Sequence, residues 1–219
     1  MDNIKNIAPA LMGRGVENLD LSMLDEPSKK QILQTLGDEY LRRGDLREAT
    51  KSFVMASDST RLLDVGGEYE KLHQLTNALE VYKMANSFQH IKRIGDNCLK
   101  DDNLNDALKA FTILNDNRQL SAIGERCMQK QKWQAAIKVF SYLGDKEKLV
   151  KIGDLCAEER SFEDAFRAYK LSGKIEKLND FGNLCFKSGF LEAALESFTL
   201  ADNKAMIMFI NQNFKKTAS

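Results

Sequence analysis

Apolar side chains recur along this chain in paired bursts separated by short polar turns. Around Gly153 they fall at Leu149, Ile152 and Cys156, then again at Phe162, Phe166 and Tyr169. Counted from the glycine, the offsets are −4, −1 and +3, then +9, +13 and +16. Each set lies on one face of a helix. The intervening stretches RGD at 43–45, KDDN at 100–103 and ERS at 159–161 read as turns. Asp45 with Glu48, and Ser161 with Asp164, have the spacing of a helix start. Between bursts the links are only a few residues, such as NDN at 115–117 and GDK at 144–146. So short a link forces the chain back on itself, which predicts antiparallel helical hairpins.

The same pattern returns at a fixed step. Gly37, Gly66, Gly95, Gly124, Gly153 and Gly182 mark six copies, each 29 positions after the last. Twelve positions after each glycine stands an alanine, from Ala49 to Ala194, and sixteen after stands an aromatic, from Phe53 to Phe198. A large apolar residue fills offset +9 in all six copies, Leu46 in the first and Trp133 in the fourth, and Leu or Ile fills offset −4. A mid-helix glycine costs about 1 kcal/mol against alanine. Six of them call for a compensating close approach, expected here between the glycine and the alanine at +12, with the ring at +16 filling the space beyond. One hairpin cannot bury such a face alone, but stacked copies can.

These landmarks resemble the tetratricopeptide repeat. The first copy supplies Leu33, Leu36, Gly37, Tyr40, Ala49, Phe53 and Ala56 in that family's order. The family period is about 34 residues. The step here is shorter, at 29, and no proline stands near the end of the copy. In that respect the chain is similar to the helical-hairpin solenoids of coatomer and intraflagellar-transport subunits. The resemblance covers roughly residues 31–214. It implies an all-α, right-handed α-solenoid of six hairpins with a C-terminal capping helix, and first helices that line a concave, peptide-binding face.

Within that frame the expected organisation is a non-repeat segment at 1–27, one solenoid domain at 28–214 and a tail at 215–219. The first segment carries Ile4, Ile7, Leu11, Met12, Leu19, Leu21 and Leu24, which suit an irregular cap over the first hairpin or a docking tail. Pro27 suits the first turn of the first repeat helix. No apolar run approaches the roughly 20 residues of a membrane span. The N-terminus is a poor signal peptide, so a cytoplasmic location is expected.

Charge and chemistry narrow the function. Lys and Arg number 32, as do Asp and Glu. That balance argues against a general nucleic-acid binder. The four cysteines, Cys98, Cys127, Cys156 and Cys185, all stand at offset +3, one per copy. Neighbouring copies place them about 10 Å apart, beyond the roughly 7 Å Cα separation that a disulfide allows. They read as small buried hydrophobes, not zinc ligands. His73 and His90 have no catalytic partner at a recognisable spacing, and no phosphate-binding glycine loop exists. No cofactor, no metal and no enzymatic activity are expected.

The remaining candidate is surface. On the expected inner face, Asp38 with Arg42 and Asp96 with Lys100 are helical i,i+4 pairs. Lys92 followed by Asp96 lacks the Lys–Asn combination of the carboxylate clamp in chaperone-binding members of the resembled family. Glu125, Glu147, Asp154, Glu158 and Glu176 make the C-terminal half of this face acidic. At the end, 202–214 reads as a seventh first helix with no second helix to follow. Ile207, Ile210, Asn211 and Phe214 occupy its packing offsets, leaving Met206, Met208 and Phe209 as a candidate contact for self-association, a partner or further chain. Two function classes result: an adaptor or scaffold that binds a protein or peptide on its inner face, or an architectural subunit that works through its ends and edges.

Overall fold

The computed structural model describes Met12 and residues 15–214, and these are helices joined by tight turns with no strand among them. The chain forms two compact units, one ending at Asp116 and one beginning at Asn117. The first unit holds three hairpins: α1 (Glu26–Arg42) with α2 (Leu46–Met55), α3 (Ser59–Lys71) with α4 (Leu75–Met84), and α5 (Phe88–Lys100) with α6 (Leu104–Leu114). The second holds α7 (Asn117–Gln129) with α8 (Trp133–Leu143), α9 (Lys146–Glu158) with α10 (Phe162–Ser172), α11 (Ile175–Lys187) with α12 (Leu191–Leu200), and then α13 (Lys204–Phe214). Each unit is a short tetratricopeptide-like α-solenoid.

The glycine column has a single structural cause, and it differs from the sequence expectation. A Cβ on Gly37 would lie 2.5 Å from Cε1 of Phe53, and one on Gly153 would lie 2.5 Å from Cε1 of Tyr169. In all six copies the nearest obstruction is the ring at +16, not the alanine at +12. The aromatic ring occupies the space where a first-helix Cβ would stand, so only glycine leaves room. Those six rings and the six alanines are buried and form the spine of each core. The cysteines are buried too. Burial pushes the Cys156 thiol up to about 12 and Cys185 up to about 11, because the thiolate would lose its hydration.

The turns are equally regular. Offset +7 has positive φ in every copy, at Gly44, His73, Asp102, Gln131, Arg160 and Gly189. So does offset +20, at Ser57, Asn86, Asn115, Gly144, Gly173 and Asp202. At α3 the left-handed residue is His73. Its N–H donates to the Glu70 carbonyl and that of Gln74 to the Tyr69 carbonyl, which satisfies two orphan acceptors of the helix end. The carbonyl at +3, supplied by Cys98, Cys127, Cys156 or Cys185, accepts the equivalent bond in copies three to six. Helix starts are more varied. Asp45 accepts from the Glu48 N–H as the spacing predicts, whereas the Ser161 hydroxyl donates to the Asp164 carboxylate and does not cap the backbone.

The described part of the N-terminal segment caps the first hairpin. Val16 is fully buried and its N–H donates to Oε2 of Glu48. Leu19 and Leu21 pack against the same core, and the Tyr40 hydroxyl donates to the Met12 carbonyl at 2.9 Å. Pro27 sits in the first turn of α1. Ile4, Ile7, Leu11 and the 215–219 tail lie outside the described residues.

Candidate interaction face

Consecutive first helices are joined on their exposed side by charge pairs at a sequence separation of 23. The residue at +1 of one copy meets the residue at −5 of the next. Asp38 pairs with Arg61 at 3.2 Å in the first unit, and Glu125 with Lys148 at 2.5 Å and Asp154 with Lys177 at 2.8 Å in the second. Glu147 takes Lys174 at 2.9 Å. Lys92 pairs with Asp96 along α5 at 3.0 Å. The carboxylates that the sequence presents as an acidic surface therefore behave differently from one another. Three of them carry lysines from the next copy. Glu158 and Glu176 form no ion pair among the described residues, but they stand in the last turn of α9 and the first turn of α11, at opposite ends of neighbouring helices. The arrangement is a mixed-charge ladder. The lysine partners are hidden from a reading confined to one helix, because they lie one copy further on.

Two tyrosines tie this ladder to the core. Most rings at +16 are phenylalanine, but Tyr82 and Tyr169 each send a hydroxyl through to the exposed side. Tyr169 donates to Oδ1 of Asp154 at 2.7 Å, the same carboxylate that binds Lys177. Tyr82 donates to Oε1 of Glu70 at 2.5 Å, and Arg93 of the next copy donates to that oxygen at 2.6 Å. Burial and the neighbouring carboxylate both raise the pKa of each phenol. His90 stacks on Tyr82 with ring centroids 4.7 Å apart and shares a 2.6 Å hydrogen bond with Ser87.

At the end of the second unit the ladder changes character. The Glu70–Arg93 pair occupies offsets +4 and −2 of successive copies. The equivalent positions in α11 and α13 are Phe186 and Phe209, whose rings are 6.0 Å apart and nearly perpendicular. Phe214 completes a trio, 5.5 Å from Phe186 and 6.2 Å from Phe209. These are favourable edge-on contacts. Of the four residues expected to pack α13 back onto the last hairpin, only Ile210 is buried. Ile207 is half-buried, Asn211 is exposed, and Phe214 is 48% exposed. The reason is the absent cover: in the six complete copies a second helix closes over offset +3, and none follows α13 among the described residues. Met206 is half-buried, while Met208 and Phe209 are exposed at 59% and 46%. Phe186 and Phe214 join them in a cluster that the sequence reading did not assemble.

Among the described residues no group of three His, Cys, Asp or Glu side chains is placed to hold a metal ion. No helix there is long and apolar enough to cross a membrane.

No protein-family profile matches the chain, and no curated protein matches it at a significant level. Among solved structures it is similar to the MamA protein at 16% identity, covering 88% of this chain and 99% of that one with a TM-score of 0.28. It is also similar to a tetratricopeptide repeat protein from Parabacteroides merdae at 16% identity, covering 87% of this chain and 82% of that one with a TM-score of 0.27. Superpositions at these scores bear neither on the path of the chain nor on its function. The repeat assignment rests on the residue columns and on the packing within each hairpin.

Proposed function

We propose that this protein is a protein–protein interaction scaffold, without enzymatic activity, that holds a protein or peptide segment along the first helices of its second unit. The observation that carries this reading is the Phe186/Phe209/Phe214 cluster. At the −2 offset four of the six complete copies place a charged side chain suited to water, Asp64, Arg93, Lys151 and Asp180, and the other two have the small residues Thr35 and Ala122. Phe209 packs on Phe186 and Phe214 yet stays 46% exposed, and the trio leaves an aromatic anchor of the kind that dominates interface energetics. The adjacent charge ladder from Asp154 and Lys177 supplies a polar flank that fixes register. A bound segment would set an apolar residue on the trio and charged residues along α9 and α11.

Phe209→Asp tests this, because it restores the residue type found at Asp64 and Asp180. Affinity capture with the tagged variant is expected to lose the partner that the wild type retains, with unchanged helical content. Retention of the same partner at the same yield refutes the anchor.

The same cluster supports a second reading, an architectural subunit that assembles through α13. Light scattering over a concentration series, comparing wild type with Met206→Lys/Phe209→Glu, separates the two. A wild-type oligomer that the double variant converts to a folded monomer places a self-association interface at this helix. A wild type that stays monomeric at high concentration removes self-association.

A further inference from the structure

A second surface lies away from the first-helix face. Offset +18, in the last turn of every second helix, is a large apolar residue in all six copies: Met55, Met84, Ile113, Tyr142, Leu171 and Leu200. Five of the six are between 42% and 51% exposed. Their inward neighbours at +16 are fully or almost fully buried, so the core is already filled without them. Phe88 and Ile175, the first residues of α5 and α11, stand across the turn from Met84 and Leu171 and are 56% and 59% exposed. Single exposed apolar residues are ordinary, but a repeated column of them is not. Within each unit, second helices of neighbouring copies pack roughly 10 Å apart, so the rungs recur at about that interval. Apolar residues three apart in an extended segment have the same spacing.

The flanking charge favours one kind of partner. One helical turn before each rung, at offset +14, the second unit carries Lys138, Arg167 and Glu196. Glu196 is engaged by Lys170 at 3.9 Å. Lys138 and Arg167 are exposed and form no ion pair among the described residues. The chain also shows what suits this edge. Its own segment LDLSMLDE, 19–26, brings Leu19 and Leu21 beside Met55 at the first rung. There they share with Lys29 and Lys30 an open groove of about 690 Å³. Leu171 and Lys146 of the fifth copy hold the offsets that Met55 and Lys30 hold in the first.

We infer that the edge of the second unit built by Tyr142, Leu171 and Leu200, flanked by Lys138 and Arg167, is a docking strip for an acidic, leucine-rich segment of another protein. This strip is separate from the aromatic cluster, and either surface stands if the other fails.

The probe is a fluorescein-labelled synthetic peptide of residues 16–26, VENLDLSMLDE, titrated against the full chain by fluorescence polarisation. Binding is expected, and Leu171→Asp combined with Arg167→Glu is expected to weaken it by about tenfold, the effect of losing one anchor. Both sites are exposed, so far-UV circular dichroism should be unchanged. A peptide with serine at both positions equivalent to Leu21 and Leu24, which are three apart, should not bind. No binding of the parent peptide to the folded chain overturns the proposal, as does binding that the double variant leaves intact. Binding of phosphatidylserine vesicles without binding of the peptide would assign the strip to a membrane surface instead. Crosslinks between two copies through a photoreactive benzophenone side chain introduced in place of Leu171 would assign it to self-association. Either result overturns the proposal.

Discussion

Replacing Gly37 by alanine isolates the contact that defines the repeat. In an open helix this change is stabilising by about 1 kcal/mol. Gly67 provides that background directly: it is helical, and nothing lies within 4 Å of where its Cβ would go. At Gly37 the new methyl would sit 2.5, 2.7 and 2.8 Å from Cε1, Cζ and Cδ1 of Phe53. Phe53 is fully buried and has no open side to move into. Overpacking of this kind costs about 1–3 kcal/mol. The net expectation for Gly37→Ala is a loss of up to about 2 kcal/mol, and for Gly67→Ala a gain of about 1 kcal/mol. Gly95→Ala should fall between them, since its closest approaches are 3.0 Å to Phe111 and 3.1 Å to Ala110. Urea unfolding followed by circular dichroism reads all three. If Gly37→Ala is as stabilising as Gly67→Ala, the ring does not set the glycine column and the packing account is wrong.

Other substitutions probe separate parts of the fold. Arg160 holds φ of 62° at the end of α9, so Arg160→Gly should stabilise by about 1 kcal/mol in the same assay, and destabilisation would contradict the strain assigned to that turn. Tyr169→Phe removes the hydroxyl that donates to Asp154 and should cost about 1 kcal/mol; no change would mean that the core-to-ladder link contributes nothing. The raised Cys156 thiol predicts alkaline sensitivity. From about pH 9, where an unfolded thiol ionises, up to about 12 in the folded state, unfolding releases a proton. Stability should therefore fall with rising pH by about 1.4 kcal/mol per unit from this group, and Cys156→Ala should remove that increment of slope. An identical slope in both proteins would show that Cys156 is not desolvated.

The sequence made the hairpins legible because burial imposes residue types at fixed offsets. Gly, Ala and an aromatic recur once in every copy, and the structure places each column inside. Which of them touch was less legible, because several small and large residues share one face; the glycine proved to meet Phe53 or its equivalent, not the alanine. The left-handed turn positions stayed hidden for a different reason. His73, Gln131 and Arg160 share a backbone conformation and no side-chain chemistry, and only a third of these positions are glycine. The charge surface was hidden because its pairing crosses copies. Glu125 and Asp154 look unopposed in their own helices, and their lysines stand on the first helix of the following copy. At α13, the packing offsets gave a buried Ile210 and a Phe214 that meets Phe186 of the last hairpin, but Phe214 stays half-exposed, since an offset marks a buried position only where a second helix covers it.

Hydrogen exchange on the complex isolated by affinity capture tests the scaffold account most directly. Partner binding should slow amide exchange in α11 and α13, around Phe186, Phe209 and Phe214, and extend along the exposed side of α9 near Asp154. Unchanged exchange in α11 and α13, with protection confined to the second helices or absent, would contradict the claim that the first-helix face holds the partner.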